Sequence, residues 1–382
     1  MSKTLVFCAD GTWNSPNEDE NKDRTPDPTN VYKLFTGLAG ELSPESILLA
    51  DEQEKSFAEG GETLQVAKYL HGVGDSRNAI VKLLGGAFGS GIISRIVRGY
   101  TYLSRNHQAG DRIVILGFSR GAYTARALAG LIASQGLLVG ASANDKEAAY
   151  RRGAEAWYRY RQATVRNPFS LAHLAEIVTD LPAFLSHDSI TEADLVPVDA
   201  IAAVGVWDTV GALGFPEFGA GGRRVDAFRF ADTRLSAKVQ RGFHAVALDE
   251  RRDDFAPTLW DPEDRILQVL FPGAHGDVGG GYPAGAESGL SDRALQWMQG
   301  QLAEAGVRFH GGWAETLQPG AAATAHQPWA HLPWTLPGVA LGPRSFPQHL
   351  RLDPSIAQRR AAGPVVSEPG SAPRPYDPAN LP

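Results

Sequence analysis

The clearest feature of the chain is a set of short apolar runs that do not alternate in polarity. Each is rich in β-branched or aromatic residues and is closed by Gly, Asp, Ser or Pro, which is typical of buried strands. Strands with apolar side chains on both faces belong to parallel sheets that helices cover on either side. The predicted strands are Leu5–Ala9, Arg112–Phe118, Ile201–Trp207 and Ile266–Phe271, with a weaker fifth strand at Gln65–Leu70.

Between these strands the apolar residues recur at helical spacing. The pattern is strongest from Ile92 to Leu103, and Ala122–Ile132 is an Ala-rich run that would let a helix approach its sheet closely. Strands and helices that alternate along a chain favour an α/β fold with a mostly parallel central sheet flanked by helices. The remaining predicted helices are Val31–Leu38, Leu235–Leu248 and Leu290–Leu302.

Two regions depart from this alternation. Residues 140–200 separate two predicted strands by more than one helix, and we interpret them as an inserted helical cap built from Tyr150–Tyr160 and Leu171–Phe184. From about residue 311 the chain is rich in Pro and Gly without a period. We therefore expect one α/β domain over residues 1–310 and an irregular C-terminal segment, residues 311–382, that wraps the same domain.

Composition and charge exclude several classes of protein. The 382 residues are 43% hydrophobic and 21% charged, as in an ordinary soluble globular protein, and the net charge of −7 gives no basic footprint for nucleic acid. A single cysteine, Cys8, excludes an internal disulfide framework and a thiolate metal site. No secretory signal or transmembrane segment is visible, so we expect a protein that is cytoplasmic or exported without a signal peptide.

The motif with the most chemical content is the segment Gly117-Phe118-Ser119-Arg120-Gly121. The pattern G-x-S-x-G alone is weak in a Gly-rich chain, but here it lies between a predicted strand and a predicted helix, as a nucleophile elbow requires. Gly117 and Gly121 would permit the tight turn that projects the Ser119 hydroxyl from the sheet edge. The alternative interpretation is a serine that caps the helix N-terminus.

A serine hydroxyl needs a neighbouring base to act as a nucleophile. His275 follows the strand Ile266–Phe271 and lies among glycines and small residues, which leave room for an imidazole in a site. His244 is the competing residue, but it lies within the predicted helix Leu235–Leu248. We favour His275 as the base, with a buried loop histidine as the alternative.

The base in turn needs a carboxylate that orients the imidazole. Asp208 ends the strand Ile201–Trp207, at the edge where open α/β sheets present ligand-facing groups. Asp277 is the rival, two residues beyond His275, and it could instead brace the histidine loop. The pattern favours Asp208 and leaves Asp277 open as the alternative acid.

Two backbone N–H groups should stabilise the oxyanion of an acyl-transfer reaction. One would come from Arg120, the residue after the nucleophile, and the other from Gly11 or Thr12 in the loop after the first strand. Asp10 could organise this loop or bind a divalent ion, although partner carboxylates at ligand spacing are not evident. We expect neither a metal nor a cofactor.

Nine segments of the chain form a recognisable series: FCADGTWN (7–14), PTNVYKL (28–34), HGVGD (71–75), GGAFGSG (85–91), GFSRGAYTAR (117–126), GVWDTVGALG (205–214), HAVALDERRDDFAPTLW (244–260), FPGAHGDVGGGY (271–282) and YDPANLP (376–382). Together they resemble the catalytic domain of the first family of type VI secretion lipase effectors, in the α/β-hydrolase superfamily. The resemblance implies an α/β-hydrolase-like fold and an ester hydrolase, with phospholipase activity in characterised members. By motif position it implies Ser119 as nucleophile, His275 as base and Asp208 as acid.

The leading hypothesis is a serine hydrolase that cleaves a lipid or other acyl ester. Its partners would be an ester or phospholipid substrate, a membrane surface in transient contact, and a secretion-apparatus or immunity protein. One alternative is a protein-binding or toxin-delivery module that docks a partner on the aromatic residues near Trp157. Another is a metal-assisted phosphoester hydrolase that uses Asp10.

Overall fold

A computed structural model gives the fold of the chain. It describes residues 2–11, 25–48, 52–72, 90–140, 144–164, 189–210, 216–218, 224–226, 234–337 and 339–382. Among the described residues, no helix is both long enough and apolar enough to cross a membrane.

Within the part of the chain that the structure describes, nine strands form one central sheet and three two-stranded pairs lie outside it. The strands are β1 Thr4–Ala9, β2 Glu41–Leu42, β3 Glu52–Glu59, β4 Glu62–Leu70, β5 Arg112–Phe118, β6 Leu137–Leu138, β7 Leu195–Val196, β8 Ala203–Trp207, β9 Pro216–Phe218, β10 Arg224–Asp226, β11 Gly242–Ala247, β12 Ile266–Phe271, β13 Arg351–Leu352, β14 Pro364–Val365 and β15 Arg374–Pro375. The order across the large sheet is β13-β12-β11-β8-β5-β1-β4-β3-β2. All its neighbours are parallel except β2–β3 and β3–β4, which are antiparallel.

Helices cover both faces of this sheet. They are α1 Asn30–Gly37, α2 Ser90–Asn106, α3 Arg120–Gln135, α4 Lys146–Thr164, α5 His275–Gly279, α6 Gly289–Glu304 and α7 Pro354–Ala361. Short 3₁₀ turns occur at Pro44–Leu48, Glu192–Asp194, Asp253–Phe255, Trp313–Thr316 and Pro328–Ala330. The mostly parallel sheet between helical layers confirms the predicted α/β-hydrolase-like class.

The central strand β1 explains why the apolar runs do not alternate. It lies between β4 and β5, and every one of its residues is buried. Leu5 and Phe7 belong to the hydrophobic core on one face, whereas Val6 and Cys8 belong to the core on the other. Because side chains on a strand point alternately to opposite faces, a strand with two covered faces is apolar throughout.

One predicted helix is wrong. The segment Leu235–Leu248 contains strand β11, which pairs in parallel with β8 on one side and β12 on the other. All six residues of β11 are buried. A short apolar run does not distinguish a buried strand from a buried helix by its period, and here the pairing with two neighbours decides.

The first part of the predicted cap is the helix α4, which packs against α2 and α3. Its aromatic residues Trp157, Tyr158 and Tyr160 are buried in the core on that face. The second predicted part, residues 171–184, lies outside the described residues. The division of the chain into a 1–310 domain with a cap at 140–200 therefore stays a prediction.

The C-terminal segment contacts the sheet directly. Strand β13 pairs in parallel with β12 at the sheet edge, and Leu350 and Ile356 pack against Val246 and Leu270 of the sheet. At the start of α7, the Asp353 carboxylate accepts two hydrogen bonds from Arg293 of α6, with N···O distances of 3.0 and 2.8 Å. These contacts attach the segment from Leu350 to Ile356 to the central sheet and to α6.

Candidate active site

Ser119 lies in a sharp turn between β5 and α3. Its backbone has a φ of +57° and a ψ of −122°, a conformation that costs free energy in a residue with a Cβ. The Ser119 N–H donates to the Trp207 carbonyl at 3.1 Å, which joins the turn to the end of the neighbouring strand β8. Such a strained strand-to-helix turn is the geometry of a nucleophile elbow.

The two glycines of the motif are required by close backbone contacts. A Cβ on Gly117 would lie 2.2 Å from the Gly121 carbonyl oxygen, and a Cβ on Gly121 would lie 2.1 Å from the Ala9 carbonyl oxygen. Both obstacles are backbone atoms, which cannot move aside as a flexible side chain can. The turn therefore closes only when Gly117 has no side chain, and α3 approaches the end of β1 only when Gly121 has none.

His275 and Asp208 form a short hydrogen bond. His275 begins α5 shortly after β12, Asp208 follows β8, and the His275 Nδ1 lies 2.6 Å from the Asp208 Oδ2. The imidazole also packs on Phe118, the residue before Ser119, with ring centroids 4.5 Å apart. Three segments that follow three parallel strands thus meet at the carboxyl edge of the sheet.

Burial and charge set the protonation states of this pair. Burial lowers the pKa of His275, and although Asp208 opposes that shift, the net pKa lies below its ordinary value. Burial alone would raise the pKa of Asp208, but the charge of Arg344 and the hydrogen bonds from His275 and Arg344 hold it far below its ordinary range. At neutral pH the pair is a carboxylate beside a neutral imidazole.

Comparison with known proteins gives a family match that covers most of the chain. The family model described as "T6SS, Phospholipase effector Tle1-like, catalytic domain" matches residues 3–301. The chain belongs to this family. The family expected from the sequence motifs is thereby confirmed.

Individual relatives of the Tle1-like chain are distant. The uncharacterized protein YEL023C of Saccharomyces cerevisiae is 26% identical over 275 residues, which are 70% of this chain and 34% of the relative. A crystal structure of an uncharacterized protein from Pseudomonas aeruginosa is 20% identical with a TM-score of 0.41, and the match covers 82% of this chain and 47% of that one.

A second solved structure is that of the Tle1 effector bound to the VgrG spike from the type 6 secretion system. It is 17% identical to this chain with a TM-score of 0.36, and the match covers 74% of this chain and 52% of that one. The Tle1-like chain thus spans between 34% and 52% of the length of these three relatives.

Arg344 is a buried member of the site that the sequence analysis missed. Its Nη1 donates to Asp208 Oδ1 at 2.7 Å and its Nη2 donates to Asp208 Oδ2 at 2.9 Å, so the guanidinium grips the carboxylate with two parallel bonds. Arg344 lies 136 residues after Asp208, in a segment without a period. No sequence signal distinguishes it from the other arginines of the C-terminal segment.

A second ion pair supports the backbone of His275. The Glu250 carboxylate accepts from the His275 N–H at 3.1 Å and binds Arg252 through Nε and Nη2, both at 2.8 Å. The Arg252 guanidinium lies 3.6 Å from the centroid of the Phe255 ring, and that ring contacts the His275 imidazole edge-on at 4.9 Å. Glu250 is fully buried.

Asp277 has a different histidine as its partner. Its Oδ1 lies 2.7 Å from the His326 Nδ1, and its Oδ2 accepts from the Ala274 N–H at 2.8 Å. The second bond braces the turn that carries His275. This is the alternative to the role of acid that the sequence suggests for Asp277. His326 also bonds Glu287 at 3.1 Å, and although burial lowers its pKa, the two carboxylates raise the pKa above its ordinary value overall.

His244, the competing base, is a structural residue of β11. Its Nε2 accepts from the Thr209 N–H at 3.1 Å, which supports the loop that follows Asp208. Burial, assisted by the charge of Arg126, lowers the pKa of His244 to about 3. The imidazole is therefore neutral, and its lone pair is already engaged by a backbone N–H.

The loop after β1 is organised by Asp10. Its carboxylate accepts from the Gly11 N–H at 2.7 Å, from the Thr29 hydroxyl at 2.8 Å and from the Tyr69 hydroxyl at 2.7 Å. Burial raises the pKa of Asp10 to about 6 despite these bonds. The Gly11 N–H points at Asp10, so it is not the oxyanion donor that the sequence suggests; Thr12, the alternative donor, lies outside the described residues.

Proposed function

We propose that the chain is a serine hydrolase that cleaves carboxylic esters of lipids through Ser119, His275 and Asp208. The observation that carries the proposal is the 2.6 Å bond between His275 and Asp208 at the sheet edge where the Ser119 elbow lies. Membership of a phospholipase-effector family supports the same chemistry. The combination of elbow, imidazole and buried carboxylate is that of an acyl-transfer site.

The roles follow from the protonation states. Asp208 holds the proton of His275 on Nδ1, which leaves Nε2 to accept the proton of the Ser119 hydroxyl. The Ser119 oxygen then bonds to the acyl carbon, and the carbonyl π electrons move to its oxygen to form a tetrahedral oxyanion. The Arg120 N–H at the start of α3 and the Thr12 N–H would stabilise that charge.

The intermediate collapses in the second half of the reaction. The carbonyl re-forms, the bond to the alcohol oxygen breaks, and His275 returns its proton to that oxygen as the alcohol leaves. Water then attacks the acyl-serine with His275 again as base, and the collapse of the second intermediate restores the Ser119 hydroxyl and releases the carboxylic acid.

The surface beside His275 supports a lipid as substrate. The segment from Leu332 to Leu341 carries no charged residue, and Leu332, Leu336 and Leu341 are 73%, 43% and 42% exposed. Trp334 of this segment packs on Phe255 at 5.5 Å between ring centroids, and Phe255 contacts His275. An uncharged surface of Leu, Pro and Trp suits the interfacial region of a bilayer.

The partners and location are part of the same proposal. A type VI secretion effector acts after delivery by a secretion apparatus, so we propose a spike or other apparatus protein and an immunity protein as partners. Delivery of this kind needs no signal peptide, and contact with a membrane would be transient. Neither a metal nor a cofactor enters the proposed reaction.

The direct test replaces the nucleophile. We expect Ser119→Ala to lower hydrolysis of a soluble nitrophenyl ester and of phospholipid vesicles by roughly a thousandfold or more, because no other group supplies the attacking oxygen. Circular dichroism and thermal unfolding would establish that the variant is folded. Undiminished turnover by folded Ser119→Ala would remove the proposed function.

A further inference from the structure

We propose that Arg344 is a positioning residue of the active site, which holds Asp208 in place as a carboxylate and keeps His275 in its neutral form. The inference rests on the proposed function, because it assigns a role within the same reaction. Arg344 lies beyond residue 301, where the match to the family model ends. The C-terminal segment therefore supplies a working part of a site whose proposed nucleophile, base and acid all lie within residues 3–301.

The contacts of Arg344 leave little freedom to the carboxylate. Asp208 Oδ1 accepts from Arg344 Nη1 and from the Ala247 N–H, while Oδ2 accepts from Arg344 Nη2 and from His275 Nδ1. Each oxygen thus has two donors. The same guanidinium also donates to the carbonyls of Ala247 and Phe255, which fixes its own plane.

Both side chains of the pair are shielded from solvent. The side chain of Arg344 is 5% exposed and that of Asp208 is 0% exposed. Charges in such surroundings are weakly screened, so the loss of one of them has a large effect on its neighbours.

The charges of the two ion pairs beside His275 balance when Arg344 is present, and Asp277, which braces the same turn, has His326 as its own partner. Asp208 and Glu250 contribute two negative charges, and Arg344 and Arg252 contribute two positive ones. His244, which also faces Asp208, is neutral. Without Arg344 the cluster would carry one uncompensated negative charge, and the His275–Asp208 pair would bind a proton at higher pH.

The position of Arg344 is tied to the loop that surrounds His275. The Gly342 N–H donates to the Arg251 carbonyl at 2.8 Å, and the Asn380 side chain donates to the Arg344 carbonyl at 3.2 Å. Arg251 is the neighbour of Glu250, whose carboxylate holds the His275 N–H. Hydrogen bonds to the segment Glu250–Arg251 therefore hold both the backbone near Arg344 and the backbone of His275.

The test measures kcat/KM for a soluble nitrophenyl ester as a function of pH. The acidic limb of this pH profile reports the pKa of the base in the free enzyme. Arg344→Met and Arg344→Gln remove the charge, and we expect each to move the acidic midpoint upward by about one pH unit or more. Arg344→Lys keeps the charge and should leave the midpoint near that of the wild type, with a lower plateau because the bidentate grip is lost.

Arg293→Met is the matched control. Arg293 also makes a bidentate pair with an aspartate across the same two parts of the chain, through Asp353. The loss of that pair should lower the unfolding temperature without moving the acidic midpoint. A purely structural role for Arg344 would give the same result as this control.

The outcomes separate this inference from the proposed function. If Arg344→Met and Arg344→Gln unfold cooperatively and keep the wild-type midpoint, Arg344 has no electrostatic role. If neither unfolds cooperatively, Arg344→Lys decides: a lower plateau at a wild-type midpoint supports the inference, whereas a wild-type plateau or a midpoint shifted by about one unit contradicts it. A folded Ser119→Ala with full turnover would instead remove the proposed function itself.

Discussion

At the scale of single residues, the site is defined by which carboxylate each histidine has as its partner. Asp208 and Asp277 are both fully buried, and both lie close to His275 in sequence or in space. Their hydrogen bonds differ: Asp208 contacts the His275 imidazole, whereas Asp277 contacts His326 and the backbone of the turn. Substitutions that neutralise the two aspartates should therefore affect different properties of the protein.

We expect Asp208→Asn to lower kcat/KM by roughly a hundredfold or more, because the amide no longer fixes the Nδ1–H tautomer or stabilises the imidazolium. Asp277→Asn should chiefly lower the free energy of unfolding, by about 1–3 kcal/mol, because it weakens bonds that brace the turn. Ester kinetics and denaturant unfolding of both variants would test this. The assignment fails if Asp277→Asn alone loses activity while it remains folded.

At the scale of elements, the elbow shows how a turn depends on the strand beside it. Gly121 is the second residue of α3, and its α-carbon faces the carbonyl oxygens of Ala9 and Asp10 at the end of β1. The contact lets the helix begin directly at the sheet edge. A methyl group at this position would push α3 away from β1.

We expect Gly121→Ala to destabilise the protein by several kcal/mol, because the new Cβ would overlap fixed backbone atoms. Gly300→Ala is the control: Gly300 lies in α6 with no atom within 4 Å of the added Cβ, so the change should stabilise by about 0.5–1 kcal/mol. Urea unfolding of both variants measures the difference. Equal effects of the two substitutions would contradict the proposed contact.

The uncharged segment from Leu332 to Leu341 is the element with the most direct bearing on substrate class. We expect the double variant Leu332→Ser and Leu336→Ser to lower activity on phospholipid vesicles by about tenfold, because each serine removes exposed apolar area available to the bilayer. Hydrolysis of a soluble short-chain ester should stay near the wild-type rate. An equal loss on both substrates would count against a lipid-facing role.

At the scale of the whole molecule, contacts of several kinds hold the C-terminal segment to the α/β core. Strand β13 extends the sheet, His326 bonds Asp277, and Arg344 bonds Asp208. All three end on buried groups of the core. Removal of the segment would leave the buried Asp208 without Arg344 and the buried Asp277 without His326. The loss of such a partner destabilises a buried carboxylate strongly.

We therefore expect a fragment of residues 1–310 to lack the cooperative thermal transition of the full chain and to have no Ser119-dependent esterase activity. Near-ultraviolet circular dichroism during heating and the nitrophenyl ester assay provide the readouts. A fragment that unfolds cooperatively and hydrolyses the ester would mean that residues 311–382 form a dispensable addition.

The sequence by itself determined the class of fold and predicted the place of the chemistry. Runs such as Leu5–Ala9 identify strands covered on both faces, because burial on two sides demands apolar residues at every position. The elbow around Ser119 was recognisable because a strand, a tight turn and a helix each require particular residue types over a short stretch. Local requirements of this kind can be recognised from a short stretch of sequence.

The tertiary structure alone decided what depends on contacts between distant segments. Strand β11 was mistaken for a helix because its identity comes from pairing with β8 and β12. The choice of Asp208 over Asp277 as the partner of His275, and the presence of Arg344 behind it, depend on bonds across 67 and 136 residues. No local pattern encodes such bonds, because only the folded backbone brings their partners within reach.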